Sequence, residues 1–202
     1  MKQRRTFRCA WLAALVAVGC TGDLSGSSPR QDANSDVPET KRIERLSAGQ
    51  FFRSLEVTTG QTWSRAEEYA STLGRPDFER TVAESRDISV SFFKLAGDAA
   101  REVCGEAVDA DLETSNLEDR VILREVQTVD PLDEAADANL RYLMLRFHGI
   151  HITDDLDSRL DPWRSLLQTG LPSGEQARIE QGRDRWKAVC VGLATHPDFL
   201  TY

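Results

Sequence analysis

The stretch from Ile88 to about Ala110 constrains this chain more than any other. Phe92, Leu95, Ala96, Ala99, Val103 and Ala107 recur at steps of three and four, which places them on one stripe of a long helix. Cys104 lies beside Ala100 and Val108 at the flank of that stripe, and Gly97 and Gly105 permit close approach by a neighbour. A stripe of this length has to be covered by other elements, and most of the remaining pattern is helical too. The one strand-like run is "RVILREVQTV", residues 120–129, and the sequence offers it no partner strand. Helix is therefore expected across 115–129, with strand as the alternative. The fold class is all-α: a single domain of about six helices in an irregular bundle.

Helix boundaries are written in the capping chemistry. Ser47-Ala48-Gly49-Gln50 is a capping box, with Leu46 and Phe51 placed as a hydrophobic staple. The helix it opens carries Ala48, Phe51, Phe52 and Leu55 inward and ends at Thr58-Thr59-Gly60. Ser64-Arg65-Ala66-Glu67 reads as a second box, opening a short helix through Leu73 that Gly74 and Pro76 terminate. Phe78 and Val82 fall in an irregular stretch and are expected to tuck inward. Asp130-Pro131 places Pro at the first position of a helix reaching His148, where Gly149 stops it. Thr153 is expected to cap the next helix, with Leu156, Leu160, Trp163, Leu166 and Leu167 on it and Gly170 at its end. A last helix is expected from about Glu175 to Ala194. In "WKAVCVGLATHPDFLTY", residues 186–202, Pro197 forces His196 out of the helical region. Phe199, Leu200 and Tyr202 must then be covered by folding back on the core.

Residues 1–40 have a different character. "MKQRRTFRCAWLAALVAVGC" has basic residues Lys2, Arg4, Arg5 and Arg8, then an apolar stretch from about Ala10 to Val18. That stretch is too short to span a bilayer and has the layout of a secretory signal. Its end, Ala17-Val18-Gly19-Cys20, resembles the lipobox of bacterial lipoproteins, with Ala17 where Leu is usual. The resemblance implies a signal peptide over 1–19 and lipidation of Cys20. Thr21 stands where Asp would imply inner-membrane retention, so the resemblance implies the outer membrane. Residues 21–40 are rich in Ser, Gly, Asp, Asn and Pro and cannot bury enough surface to fold. Residues 20–40 thus read as the lipidated Cys and a flexible tether, and 41–202 as the helical domain.

Charge and cysteines bound the function. Four of the 25 basic residues lie in the first 19, so 21 remain against 33 acidic residues. So acidic a mature chain should not seek nucleic acid. Of the four cysteines, Cys9 leaves with the signal and Cys20 carries lipid. Cys104 and Cys190 remain, and in an oxidising compartment they are expected to form a disulfide. Two separate buried thiols are the alternative.

The spacing of histidines, acidic residues and cysteines bounds the catalytic and cofactor chemistry open to the chain. His148 and His151 are three apart, which suits metal on a helix, but Gly149 interrupts them; they are the two metal candidates, and no metal is expected. The acidic set Asp154, Asp155, Asp157 and Asp161, and the alternating Asp109, Asp111 and Glu113, lack the Gly and distal Glu of a calcium loop and read as solvated faces. No C-x-x-C-H, G-x-S-x-G, phosphate loop or H-E-x-x-H occurs, and nothing singles out His148, His151, His196 or Met144 as haem ligands. Cys190 and His196 can be imagined as a catalytic pair, but the disulfide takes precedence. No catalytic residue and no cofactor is assigned.

Two blocks carry a further resemblance. "RLSAGQFFRSLEVTTGQTW" (45–63) resembles the opening of helical modules of unknown function in exported planctomycete and myxobacterial proteins, which often lie beside cytochrome-c-like domains. "LRYLMLRFHGIHITDDLDSRLDPWRSLLQTG" with "RDRWKAVCVGLATHPDFLTY" resembles their last module. The family has no established catalytic residues to transfer, and this chain has no cytochrome motif. The resemblance implies an exported helical protein near a redox or polymer-handling system. Three functional expectations follow. The first is an outer-membrane-anchored, non-enzymatic scaffold or partner-binding module, held to the membrane by lipid and to a protein partner. The second is an accessory subunit of an exported redox or electron-transfer complex. The third is a hydrolase with an unrecognised site.

Overall fold

A computed structural model describes residues 43–76, 79, 83, 85–86, 89–154 and 156–202. Cys20, the signal and tether segments, Phe78 and Val82 lie outside the described residues. The fold is all-α, with seven α-helices and no strand among the described residues. In order these are α1 (Ala48–Thr59), α2 (Ala66–Tyr69), α3 (Val90–Glu113), α4 (Ala136–His148), α5 (Asp161–Gln168), α6 (Glu175–Thr195) and α7 (Pro197–Leu200).

The core forms around α3 and α6. Ser89 caps α3 by accepting the Phe92 N–H at 3.1 Å. Every residue of the expected stripe is buried, together with Ala100, Cys104 and Val108. From α6, Trp186, Val189, Cys190 and Leu193 are fully buried. Cys104 and Cys190 are joined by a disulfide, with Cα atoms 5.8 Å apart. It links residues 86 apart in sequence, so on the chain-entropy account it stabilises the fold by about 4 kcal/mol. Lower on the same seam, Asp109 of α3 receives Arg183 at 2.7 Å and Lys187 at 2.8 Å from α6. The Arg183 bond leads in holding the Asp109 carboxyl down to about 2, and Lys187 adds to it. Around this pair α1 packs against α3, and α4, α5 and α7 pack against α6.

The ends of the chain's helical part hold each other. The Ser47 capping box forms as expected, with Ser47 N–H to Gln50 Oε1 at 2.9 Å and Gln50 N–H to Ser47 Oγ at 3.2 Å. Gly60 closes α1 at φ 70°, the left-handed conformation that glycine adopts without strain. After α6, His196 is extended and Pro197 opens α7, whose Phe199 and Leu200 are buried. The end of α7 and the residues after it pair with the segment before α1: Leu46 N–H reaches Leu200 O at 2.7 Å and Tyr202 N–H reaches Glu44 O at 3.0 Å. The Tyr202 side chain, expected inside, is instead half exposed. Its backbone completes the pairing while its ring lies under Arg86.

Four expectations are corrected. Ser64 does not cap α2: its N–H goes to Glu102 on α3 at 2.8 Å, and no side chain caps the four-residue α2. The helix expected from Pro131 begins only at Ala136. Asp130 and Asp133 each accept the N–H two residues on, at 3.0 and 2.9 Å, so the chain makes consecutive side-chain-closed turns instead. Both Asp130 oxygens are also engaged by Arg178 of α6. Thr153 caps nothing helical and Leu156 is exposed. Asp157 caps a single 3-10 turn, Ser158–Leu160, from which α5 continues with Pro162 in its first turn.

The fourth correction is the largest. Residues 120–129 form neither helix nor strand. Ile122, Leu123, Val126 and Val129 are buried all the same. A buried backbone without secondary structure needs other partners, and polar side chains supply them. Asp111, only 3% exposed on α3, accepts the N–H groups of Val121, Ile122 and Leu123 at 2.8, 2.6 and 2.7 Å. Buried Asn139 of α4 accepts Glu125 N–H at 3.0 Å and donates to Ile122 O at 3.0 Å. Tyr142 Oη donates to Val121 O, and Arg120 donates to Thr114 O and Val126 O. Further along, α6 runs so close to this segment that a Cβ on Gly182 would lie 1.9 Å from Val129 O. Asp111 is thus no solvated acid. Replacing it with Ala strands three buried N–H groups, and Asp111→Ala is expected to cost about 3–4 kcal/mol. Urea unfolding of the variant beside wild type measures this; a loss below about 1 kcal/mol contradicts the assignment.

Candidate functional site

Among the described residues, side chains with ligand chemistry gather where α4 ends against the α6–α7 junction. Gly149, at φ 68°, stops α4 and leaves His148 in its last turn. His196 is the extended residue between α6 and α7, and Asp198 follows in the first turn of α7. The His148 and His196 ring centroids are 4.9 Å apart. Trp163 of α5 stands 6.4 Å from His148 and 6.2 Å from His196. The indole packs over Gly192 of α6, where a Cβ would meet Trp163 Cζ3 at 2.8 Å. Together with Met144, Ile150, Pro162 and Arg159 these residues line an open cavity of about 310 Å³.

Hydrogen bonds fix the protons of His148. Its Nε2 lies 3.0 Å from Leu193 O. A carbonyl only accepts, so Nε2 carries the hydrogen and donates it. Nδ1 is buried and has no hydrogen-bond partner. Burial is the main cause that lowers the pKa of this imidazole, and nearby His196 lowers it further, against the opposing effects of Leu193 O and Asp198. A neutral His148 therefore holds a buried, unused lone pair on Nδ1. His196 Nδ1 accepts Asp198 N–H at 3.2 Å, capping α7, and lies 3.6 Å from Asp198 Oδ2. Arg159 brings positive charge to the cavity rim, but Asp157 holds it through both carboxylate oxygens, at 2.6 Å at the shortest.

The placement of the candidates differs from what spacing suggested. His148 meets His196 and Asp198, not His151, which is exposed on the loop beyond Gly149. Cys190 and His196 make no nucleophilic pair, because the Cys190 sulfur is committed to Cys104. Asp154, Asp157 and Asp161 serve locally: Asp154 closes a turn on Leu156 N–H, Asp157 holds Arg159, and Asp161 pairs with Arg164 at 3.1 Å. Asp155 lies outside the described residues. Sequence reading missed Asp198, and it weighed His196 only as a haem ligand or as a catalytic partner of Cys190. Their one signal was His-Pro-Asp at a helix boundary, where a side chain is free to cap, with nothing to tie it to a residue on α4.

Comparison of the chain with protein-family models, with curated proteins and with solved structures finds no match.

The protonation of His148 is directly observable. In a proton NMR titration its ring resonances are expected to move with a midpoint below the ordinary histidine value of about 6.5. The unfolded chain takes up this proton before the folded one does. Stability is therefore expected to fall as pH drops below about 6.5, before the carboxylates protonate. A midpoint at or above the ordinary value contradicts the buried, neutral assignment.

Proposed function

We propose that this protein is an exported lipoprotein, anchored in the outer membrane through lipid on Cys20. Its helical part then acts as a non-enzymatic scaffold or partner-binding module held off the membrane by the tether. The observation that carries the reading is the Cys104–Cys190 disulfide between the two longest helices. Such bonds persist in oxidising compartments, which fits the signal-like segment and the lipobox-like Ala17-Val18-Gly19-Cys20. One acyl chain gives only reversible attachment, so the multiple chains of a lipoprotein cysteine suit a stable anchor. The acidic balance of the mature chain favours a protein partner over nucleic acid. A second reading, the accessory subunit of an exported redox complex, draws support from the cavity where Met144, His148 and His196 meet.

Metabolic labelling with a radioactive fatty acid, followed by membrane fractionation, tests the anchor. Wild type is expected to label and sediment with outer membranes, and Cys20→Ala to do neither. An unlabelled wild type, or a labelled Cys20→Ala, overturns the reading.

A further inference from the structure

We propose that His148, His196 and Asp198 form a binding site for one divalent transition-metal ion of the zinc or copper class. The potential ligand atoms of these three residues lie within 4.8 Å of one another. The chain has only three histidines, and two of them, distant in sequence, converge here. Two imidazoles and a carboxylate are the donor set that borderline metals take, leaving a coordination position open.

Each residue brings more than proximity. His148 has the arrangement common to metal-binding histidines: one ring N–H given to a backbone carbonyl, the other nitrogen unused. That carbonyl fixes the tautomer and ring orientation ahead of any ion. Leaving Nδ1 buried without a partner has a cost, and a metal removes it. His196 Nδ1 and Asp198 Oδ2 are 3.6 Å apart. Ligands about 2.0–2.1 Å from a tetrahedral ion stand about 3.4 Å from each other. That pair is already at chelating separation, and the ion replaces the 3.2 Å capping bond from Asp198 N–H. The side chains of His196 and Asp198 are 41% and 55% exposed, so they have room to close the remaining gap to His148. The local charge suits a cation, because both imidazoles bind in their neutral form, Asp198 is anionic and Arg159 is matched by Asp157. Met144, one turn before His148 on α4, places a thioether in the same cavity, which is a further reason to include copper.

Calorimetric titration of the full-length, detergent-solubilised protein with Zn2+ and, separately, Cu2+ tests the proposal. Wild type is expected to bind one ion per chain, Cu2+ more tightly than Zn2+. The decisive variant is His196→Asn. Asparagine is a good helix N-cap, so the variant keeps the cap of α7 and loses only the imidazole. Its affinity is expected to fall by about tenfold or more, as is that of Asp198→Asn. His151→Ala is expected to bind as wild type does. Circular dichroism melting of each variant without metal confirms that the fold is intact. No saturable binding by wild type, unchanged affinity in a folded His196→Asn, or equal loss in His151→Ala each overturns the site.

Discussion

The packing of α3 on α6, closed by Cys104–Cys190, is the constraint on which the rest of the structure depends. Ala96, Ala99, Ala100 and Ala107 of α3 and Ala194 of α6 are all buried. The two helices pack on each other with the Cα atoms of Cys104 and Cys190 5.8 Å apart, within disulfide reach. Everything else is positioned relative to that pair. α1 covers α3, while α4, α5 and α7 lean on α6. The cavity at His148 exists because α6 carries Leu193 O to His148 on one side and Gly192 to Trp163 on the other.

A second principle organises residues 114–135. This stretch buries four large apolar side chains without the backbone ladder that usually accompanies burial. Asp111, Asn139, Tyr142 and Arg120 take over the work of a ladder. A carboxylate accepting several N–H groups is a strong, geometrically selective clamp in a low-dielectric setting. It fixes the segment in one conformation, and Gly182 lets α6 pass across it.

How far these features were legible follows from the range of the forces involved. The Ser47 box, the Gly60 stop, the apolar stripe of α3 and the span of α6 are set by neighbours within a turn or two, and all are found in the structure. The pairing of Cys104 with Cys190 could be read from a count of the cysteines, on the expectation of an oxidising compartment. At Ser64 and Pro131 long-range partners override the local signals, Glu102 taking Ser64 and Arg178 holding Asp130, while at Thr153 a local competitor, Asp157, caps instead. Residues 120–129 have the composition of a regular element, and the side chains that satisfy their backbone instead, chiefly those of Asp111 on α3 and Asn139 on α4, lie outside the segment. His148 and His151 looked like a pair because they are close in sequence. His196 is the true neighbour of His148, and only the docking of α7 reveals it.

The proposed exported scaffold and the proposed metal site are compatible in one molecule. The first concerns where the helical part is displayed, the second what a corner of it can hold. Both proposals rest on the same clamp between α3 and α6, closed by a bond of the kind that persists in oxidising compartments. The most direct measurement is the thiol state of Cys104 and Cys190 in protein taken from the cell envelope. Alkylation under denaturing conditions without reductant, followed by peptide mass analysis, is predicted to leave both cysteines unmodified and recovered as one linked peptide pair. Alkylated Cys104 and Cys190 in unreduced protein would contradict the account.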